Sequence, residues 1–393
     1  MPKLFRITTV PLSFETLLKG QLRFMQQYYE VTAICSNRER LEKVGENEGV
    51  KTYPVELTRR ITPLKDIRAL YKLYVYFKKE KPFIVHTHTP KAGLIGMLAA
   101  SLANVPHCLH TVAGMPLMEA AGLKRSVLNL TEKLTYRCAN RLYPNSKGLY
   151  EFIVKNRFCP ENKLKIIGNG SSNGIDTTHF SPTLYSPEQK EKLKNDTGIP
   201  MNAFVFCFIG RIVKDKGINE LVAAFSQLSI FNFQTTFGGS QLSIKLLLVG
   251  PFERELDPLL PETENEIQNN PNIITTGFQP DIRPYLAISD VFVFPSYREG
   301  FPNVVMQAGA MELPCIVTDI NGCNEIIEDG VNGLIIPVKD KESLKEKMLL
   351  LLNDHNLQMR LKQKAREMIT SRYEQQMVWE ALLEEYRLLE NKP

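Results

Sequence analysis

Short apolar runs alternate with longer helical patterns along the whole chain. In the first half the apolar runs, each of which predicts a β-strand, are 4–9, 29–35, 52–55, 83–87, 107–111, 141–144 and 165–167; in the second half they are 204–209, 245–249, 273–275, 291–294, 315–318 and 333–336. Runs that are apolar at nearly every position are typical of parallel strands covered on both faces by crossover helices. The pattern therefore predicts an α/β protein made of two doubly wound, Rossmann-like units.

The boundary between the two units is predicted from a stretch without periodicity. Residues 181–200 are rich in proline, threonine, serine and charge, and we interpret them as a linker between domains at 1–180 and 201–370. A last helical pattern, within 371–393, needs an apolar surface to cover. We favour its return to the N-terminal domain, and packing on its own domain remains the alternative.

Composition excludes several classes of protein. The 393 residues are 43% hydrophobic and 23% charged, which is ordinary for a globular chain of two or three domains. The longest apolar run, 92–105, is too short for a transmembrane helix, and the amino terminus lacks the pattern of a secretory signal. Seven scattered cysteines without a CxxC pair fit a reducing compartment. We expect a cytoplasmic protein.

A basic glycine turn follows the strand predicted at 204–209. Gly210-Arg211 and Lys216-Gly217 frame this turn, and a helical pattern follows at 218–228. A helix amino terminus presents oriented N–H groups and a partial positive charge, and Arg211 and Lys216 add full charges. The segment can therefore hold a phosphate or diphosphate, although taken alone it also fits a solvated charged turn.

A second loop and helix follow the strand predicted at 291–294. This segment runs from Pro295 through Glu299-Gly300-Phe-Pro302-Asn303-Val304 to Gln307. Gly300 permits an unusual turn, and Pro302 suits the first position of a helix that continues to Met311. Ligands of doubly wound sheets bind at the carboxyl ends of the strands, which is where this helix begins.

Together these segments resemble the retaining glycosyltransferases of family 4, which have the GT-B fold. The resemblance rests on Gly210-Arg211 with Lys216 and on Glu299-Gly-Phe-Pro-Asn-Val-Val. Further matching segments are 277–278, 321–326, 329–334, 86–93 and 110–114. It covers almost the whole chain and is strongest over 204–336, with the greatest likeness to enzymes of bacterial capsular and surface polysaccharides and lipid-linked oligosaccharides. It implies two Rossmann-like domains that face a central cleft.

The resemblance also implies an activity: transfer of a sugar, with retention, from a nucleotide-diphosphate donor such as a UDP-sugar to an acceptor hydroxyl. Arg211 and Lys216 would neutralise the diphosphate together with the amides of Asn303 and Val304. Glu299 would hold donor-sugar hydroxyls. His110 would lie near the reacting carbon.

The chain departs from the family pattern at the second acidic position, where Gln307 replaces a glutamate expected to bind the ribose. An amide offers one acceptor and one donor group where a carboxylate offers two acceptors, so we expect modestly weaker nucleotide binding. Gly20 stands where the family has a glycine-rich loop near the phosphates. The family generally needs no metal or other cofactor, and this chain has no Asp-x-Asp triplet.

Two further segments receive structural interpretations. His86 and His88 form a pair on one strand face without a third ligand nearby in sequence, and we interpret them as packing or acceptor-side residues. The glycine-rich run Gly168–Gly174 has the wrong spacing for a dinucleotide motif and predicts a turn at the linker.

Charge is divided unequally between the halves. Residues 1–180 hold 27 lysines and arginines against 14 acidic residues, a net charge of +13, and the remainder carries −8. Residues 64–79 predict a basic amphipathic helix, which fits either a solvated helix face or an anionic lipid surface. We favour a lipid-linked glycan acceptor, with peripheral contact at the inner membrane face. No aromatic platform accompanies the charge, so nucleic acid is not expected.

Two other functions are compatible with the same residues. A nucleotide-sugar 2-epimerase shares the architecture and the diphosphate cradle. A relative that binds a sugar nucleotide without turnover is the other alternative, because Gln307 departs from the pattern. The donor sugar, the acceptor, the linkage and the oligomeric state are not encoded in any pattern that we can interpret.

Overall fold

The computed structural model describes residues 1–58, 62–118, 122–230, 243–255 and 257–390. The chain divides into two compact units. Unit 1 comprises Met1–Gly174 and Gln375–Pro393, and unit 2 comprises Ile175–Glu374.

Unit 1 contains a parallel six-stranded sheet. Its strands are β1 (Lys3–Ile7), β2 (Glu30–Cys35), β3 (Lys51–Pro54), β4 (Ile84–Thr87), β5 (His107–Val112) and β6 (Arg141–Pro144). Its helices are α1 (Pro11–Leu17), α2 (Gln21–Met25), α3 (Arg38–Glu48), α4 (Pro63–Glu80), α5 (Pro90–Leu102), α6 (Gly122–Cys138) and α7 (Lys147–Lys155), with short 3-10 helices at Pro116–Met118 and Glu161–Lys163. The strand order is β3-β2-β1-β4-β5-β6, which is the doubly wound order that the sequence predicts.

The two faces of this sheet carry separate apolar layers. Alternate strand residues such as Phe5 and Val85 pack with α4, α5, α6 and α7 on one face. Residues one position away, such as Leu4 and Ile84, pack with α2 and α3 on the other face. This alternation decides where each polar side chain of the strands is directed.

Unit 2 repeats the architecture. Its strands are β7 (Phe204–Ile209), β8 (Ile244–Val249), β9 (Ile273–Thr275), β10 (Val291–Phe294), β11 (Cys315–Thr318) and β12 (Gly333–Ile336), in the order β12-β11-β10-β7-β8-β9. Its helices are α8 (Pro187–Asp196), α9 (Ile218–Ile230), α10 (Pro261–Asn269), α11 (Arg283–Ala287), α12 (Asn303–Ala310), α13 (Cys323–Ile326), α14 (Lys341–Asn353) and α15 (His355–Tyr373), with 3-10 helices at Pro182–Leu184 and Lys214–Lys216. All strand pairings in both sheets are parallel.

The last helix, α16 (Gln375–Glu390), belongs to unit 1. Its apolar side chains Leu382, Leu383 and Tyr386 join the layer that holds α2 and α3. Its Trp379 ring lies 5.4 Å from the ring of Phe24, and its Glu390 accepts a hydrogen bond from the Tyr29 hydroxyl at 2.5 Å. Burial of this apolar face is what holds α16 against the sheet.

Two sequence expectations differ from the structure. Residues 165–167 form no strand: Lys165 donates one backbone bond to Leu142, and the chain then turns at Gly168, so there is no room for a ladder. The expected linker, 181–200, lies inside unit 2 and contains α8, whereas the chain passes between the units at 174/175 and 374/375. Helix α8 buries none of its residues, which is why no hydrophobic period marks it.

Candidate active site

The candidate site lies at the carboxyl edge of the unit 2 sheet. Strands β7 and β10 are neighbours, and the chain winds from β7 through β8 to β9 on one side and from β10 through β11 to β12 on the other. The point where the winding reverses leaves a crevice beyond the strand ends, and ligands of doubly wound sheets bind there. The loops that follow β7 and β10 are the two that the sequence analysis singles out.

Close backbone packing brings these two loops together. Gly217 has φ +70°, and a Cβ added there would lie 2.1 Å from the carbonyl oxygen of Pro295, so only glycine fits. The amide of Tyr297 donates to the carbonyl of Asp215 at 2.8 Å. On the other side the Asn321 amide group donates to the carbonyls of Glu299 and Gly300, at 3.1 and 2.6 Å. The loop that carries Glu299 is therefore fixed from both flanks.

The Lys216 and Glu299 side chains form an ion pair at this edge. Glu299 also accepts a hydrogen bond from the Ser296 hydroxyl at 3.1 Å, and the Lys216 ammonium lies 5.8 Å from the centre of the Phe294 ring. The two side chains retain 14% and 18% of their exposure, so a ligand can reach the pair.

Arg211 is surrounded by carboxylates. Its guanidinium donates to Glu253 at 3.0 Å and lies 3.9 Å from Asp215, which also pairs with Arg298 at 2.9 Å. Burial lowers the pKa of Arg211, but the hydrogen bond to Glu253 and the charges of Asp215, Glu253 and Glu299 outweigh it and raise the pKa overall. Three cations and three carboxylates thus balance one another at the edge of the sheet.

Helix α12 opens beside these charges. It begins at Asn303, one residue after the predicted position, and Pro302 is its N-cap without any side-chain cap for the first amides. Residues Val305, Met306 and Ala308–Ala310 are buried, whereas Asn303, Val304 and Gln307 are half-buried and lie on one side of the helix. The three predicted ligand residues of α12 therefore form its free face.

Gly20 has a different environment from the one expected. Its amide donates to the Glu48 carboxylate at 2.8 Å, and the same carboxylate accepts from the Arg23 amide at 3.0 Å. A Cβ added at Gly20 would lie 2.8 Å from the Trp379 ring. The Gly20 amide is therefore paired with an internal carboxylate, and the expected approach of this loop to the donor phosphates stays a prediction.

His110 is a buried residue of unit 1. It lies on β5, 3% exposed, with Nδ1 at 2.7 Å from the Thr87 hydroxyl. The ring faces α5, where a Cβ at Gly93 would come within 2.6 Å of it, and burial lowers its pKa to about 4. The ring is enclosed between sheet and helix, and its proposed place near the reacting carbon stays a prediction.

His86 and His88 share one face of the sheet, with ring centres 4.2 Å apart. His86 contacts the Tyr386 hydroxyl at 2.6 Å and the Thr111 hydroxyl at 2.8 Å, and His88 accepts from the Arg6 side chain at 3.0 Å. Across the part of the chain that the structure describes, no three His, Cys, Asp or Glu side chains gather in a metal-binding group.

Several site residues were missed by sequence reasoning. Asp215 and Ser296 lie inside the two motifs but have no periodic or spacing signal of their own. Asn321 belongs to a matching family segment and holds the Glu299 loop. Glu253 follows β8 and reaches Arg211 only because β8 pairs with β7, which no local pattern reveals.

Comparison with known proteins identifies the family of the chain. Residues 189–368 match the family model of glycosyl transferases group 1, and residues 22–170 match that of the glycosyl transferase 4-like domain. The chain is 34% identical over 389 residues, 97% of its length and 95% of the relative, to the capsular polysaccharide biosynthesis glycosyltransferase CapM of Staphylococcus aureus. The protein belongs to this glycosyltransferase family.

A second relative is the UDP-Gal:alpha-D-GlcNAc-diphosphoundecaprenol alpha-1,3-galactosyltransferase of Escherichia coli. It is 29% identical over 90% of this chain and 86% of the relative. The Anabaena protein HepE, solved with UDP and glucose, superposes with a TM-score of 0.81 at 17% identity, covering 99% of this chain and all of that one. A glycosyltransferase from Rickettsia africae gives the same TM-score at 19% identity, covering 100% of this chain and 99% of that one. These likenesses show the GT-B fold.

Proposed function

We propose that the protein is a retaining family 4 glycosyltransferase that moves a sugar from a nucleoside-diphosphate donor, a UDP-sugar, to a hydroxyl of a lipid-linked glycan. The observation that carries this proposal is the Lys216–Glu299 ion pair at the winding reversal of unit 2, beside the uncapped start of α12. A cation and a carboxylate in contact at an accessible strand edge can each take part of one ligand that has an anionic end and a hydroxylated end.

The proposed binding step is an exchange of partners. Lys216 leaves the Glu299 carboxylate for a diphosphate oxygen, which frees Glu299 to accept hydrogen bonds from donor-sugar hydroxyls. Arg211 makes the same exchange with Glu253. As the glycosyl bond breaks, negative charge collects on the departing diphosphate, and fixed cations at that position stabilise it without reorganisation.

The free face of α12 completes the donor site in this proposal. The amides of Asn303 and Val304 add hydrogen bonds and the positive end of the helix dipole to the diphosphate. Gln307, one turn further along the same face, contacts the ribose hydroxyls. Arg211, Lys216 and the helix terminus supply the positive charge that other enzymes take from a divalent metal, so we propose that none is required.

The proposed acceptor rests on the names of two relatives and on the positive charge of unit 1. CapM acts in capsular polysaccharide biosynthesis and the Escherichia coli enzyme acts on a diphosphoundecaprenol-linked sugar, by their names. Unit 1 of this chain holds 29 basic and 17 acidic residues, and unit 2 holds 19 and 26. An acceptor that carries a diphosphate on a lipid matches the positive unit, and we propose a role in surface polysaccharide assembly.

Helix α4 supports contact with a lipid surface. Its inward side consists of the buried Ala69, Leu73 and Phe77. On the opposite side lie four exposed apolar side chains at helical spacing: Leu64 (84% exposed), Ile67 (63%), Tyr71 (68%) and Val75 (46%). A soluble helix has one apolar stripe, so a second stripe facing solvent is typical of an interaction surface.

Charge on α4 indicates the partner. Arg68, Lys78 and Lys79 border the outward stripe and are exposed. The helix has two acids, and both are paired: Asp66 with Lys91 and Glu80 with Lys3.

Helix α6 packs on α5, as α4 does, and has a similar exposed apolar stripe, formed by Val127, Leu130 and Leu134. An apolar stripe bordered by cations, as on α4, fits an anionic membrane, and we propose its inner face. Among the described helices, none is long and apolar enough to cross a bilayer.

The proposal is tested by incubating the protein with nucleotide sugars and membrane-extracted lipid acceptors and analysing the products by mass spectrometry. We expect a UDP-sugar to be consumed only in the presence of acceptor, and the anomeric coupling of the product, measured by NMR, to match that of the donor. Formation of a new sugar from UDP-N-acetylglucosamine without acceptor would identify an epimerase instead.

Glu299 is tested by Glu299→Gln, with Glu328→Gln as the matched change at an exposed carboxylate of the same unit. We expect Glu299→Gln to lower kcat by about 10²- to 10³-fold because a preorganised charge is lost. Glu328→Gln should leave kcat unchanged, and the melting temperatures should agree. Equal activity of the two variants would remove Glu299 from the mechanism. If only Gln307→Glu confers turnover, the natural protein is a binding protein and not a catalyst.

A further inference from the structure

A small cavity lies at the carboxyl edge of the unit 1 sheet, beneath α16. Its lining includes His88 after β4, Tyr143 and Asn145 at the end of β6, Ser172 in the segment that leaves unit 1, and Leu382 of α16. Its volume is about 20 Å³, which is enough for one water molecule and too small for a sugar ring.

Three of the residues that line this cavity each have a buried polar atom without a hydrogen-bond partner. These atoms are His88 Nδ1, the Tyr143 hydroxyl and Asn145 Oδ1. The three residues are 4%, 2% and 6% exposed, so bulk solvent does not satisfy them. A buried polar group left unpaired destabilises the folded state, and three in one place call for a shared partner.

The proton on His88 can be located from its other nitrogen. The Arg6 Nε–H donates to His88 Nε2 at 3.0 Å, and an arginine in a protein does not lose its proton. Nε2 must therefore accept, and the proton of the neutral ring lies on Nδ1. The charge of Arg6, which is itself fully buried, strengthens this Nδ1–H as a donor towards the cavity.

Asn145 presents the opposite polarity. Its Nδ2 points to the Ser172 hydroxyl at 3.4 Å and the Ala113 carbonyl at 3.5 Å, which leaves Oδ1 as an acceptor without a donor. The cavity thus offers one donor from His88, one acceptor from Asn145 and one hydroxyl from Tyr143. A water molecule that accepts from the first, donates to the second and bonds the third satisfies all three.

We infer that this cavity is a binding site for a single structural water molecule, held by His88, Tyr143 and Asn145. The site links the ends of β4 and β6 beside the segment by which the chain leaves unit 1. That segment is held directly at the same point: Ser171 has φ +67°, and its amide donates to the Asn145 carbonyl at 2.8 Å. The water therefore supports Asn145, which in turn anchors the exit segment.

The direct test is a crystal structure of the full chain at a resolution where buried waters are visible. We expect one isolated oxygen within hydrogen-bond distance of His88 Nδ1, Asn145 Oδ1 and the Tyr143 hydroxyl. An empty cavity, or a Tyr143 hydroxyl bonded to a protein group instead, would overturn the inference. NMR of ¹⁵N-labelled histidine should show the proton of His88 on Nδ1, and a proton on Nε2 would contradict the assignment.

The direction in which Tyr143→Phe shifts the melting temperature gives a second test. If the water is present, Tyr143→Phe removes one of its partners and lowers the melting temperature. If the cavity is dry, the same change removes an unpaired hydroxyl and leaves the melting temperature unchanged or higher. A melting temperature of Tyr143→Phe at or above that of the natural chain would overturn the inference.

Discussion

The two units have the same sheet topology but differ in the polar groups that lie where the winding reverses. Each sheet reverses its winding beside its first strand, at β1/β4 in unit 1 and at β7/β10 in unit 2. In unit 2 the edge holds accessible ion pairs such as Lys216–Glu299. In unit 1 the same edge holds Arg6, fully buried and bonded to the neutral groups of His88, Tyr386 and Gln21.

This difference separates groups that can exchange partners from groups that cannot. An ion pair that solvent reaches, such as Arg211–Glu253 at 41% and 32% exposure, contributes little to stability because water and salt compete with it, so a ligand can replace one of its members. A buried cation that is held by neutral acceptors has no such competitor, and its removal leaves those acceptors unpaired. The ion pairs of unit 2 therefore fit the proposed exchange with a charged ligand, and the polar cluster of unit 1 holds α16 on the sheet.

The largest contrast should appear between two arginines. We expect Arg6→Ala to lower the free energy of unfolding by about 3 kcal/mol, because a cavity forms and three acceptors lose their donor. We expect Arg211→Ala to leave the melting temperature nearly unchanged and to weaken UDP binding by about 10- to 100-fold. Thermal melting measures the stability of each variant, and calorimetric titration measures its UDP affinity. A large loss of stability in Arg211→Ala, with unchanged stability in Arg6→Ala, would refute the contrast between the units.

The membrane proposal predicts that exposed apolar residues of α4 in unit 1 contribute to vesicle binding and that those of unit 2 do not. Ile67→Glu places an acid within the outward stripe of α4 and should lower binding to anionic phosphatidylglycerol vesicles by about tenfold or more. Phe278→Glu makes the same change at an isolated exposed side chain of unit 2 and should have no effect. Cosedimentation measures this, with phosphatidylcholine vesicles as the uncharged reference. Equal loss in both variants would show that the contact is not specific to α4.

A smaller effect is expected from a buried acid of unit 1. Burial raises the pKa of Glu132, on α6, to about 7, above its ordinary value of 4.5. The folded state therefore favours the protonated acid, and the stability this contributes is present below about pH 4.5 and is lost as the pH rises through about 7. Glu132→Gln should make the melting temperature nearly independent of pH between pH 5 and 8, and should raise it at pH 8. The exposed Glu151→Gln is the control, and identical pH profiles in the two variants would contradict the burial argument.

Much of the fold could be predicted because the strands are buried on both faces. The runs 204–209 and 291–294 are apolar throughout, and their predicted bounds agree with β7 and β10. Helix α8 could not be found by periodicity because it buries no residue. Its capping box, Ser186 with Gln189, was the available signal.

The site was predictable only where the motif itself makes the contact. Lys216 and Glu299 are brought together by neighbouring strands that the doubly wound pattern implies. Glu253 depends on which strand pairs with β7, and local sequence does not encode this. The surroundings of Gly20 could not be predicted, because Glu48 and Trp379 lie far from it in the chain and become its neighbours only after packing.

The central claim, that a nucleoside diphosphate takes Lys216 from Glu299, is tested most directly by calorimetric titration of UDP into three proteins. The account predicts that Lys216→Met weakens binding by about 10- to 100-fold, whereas Glu299→Gln binds UDP as tightly as the natural chain or more tightly, because the lysine no longer has a competing carboxylate. Unchanged affinity in Lys216→Met, or equal weakening in both variants, would contradict it.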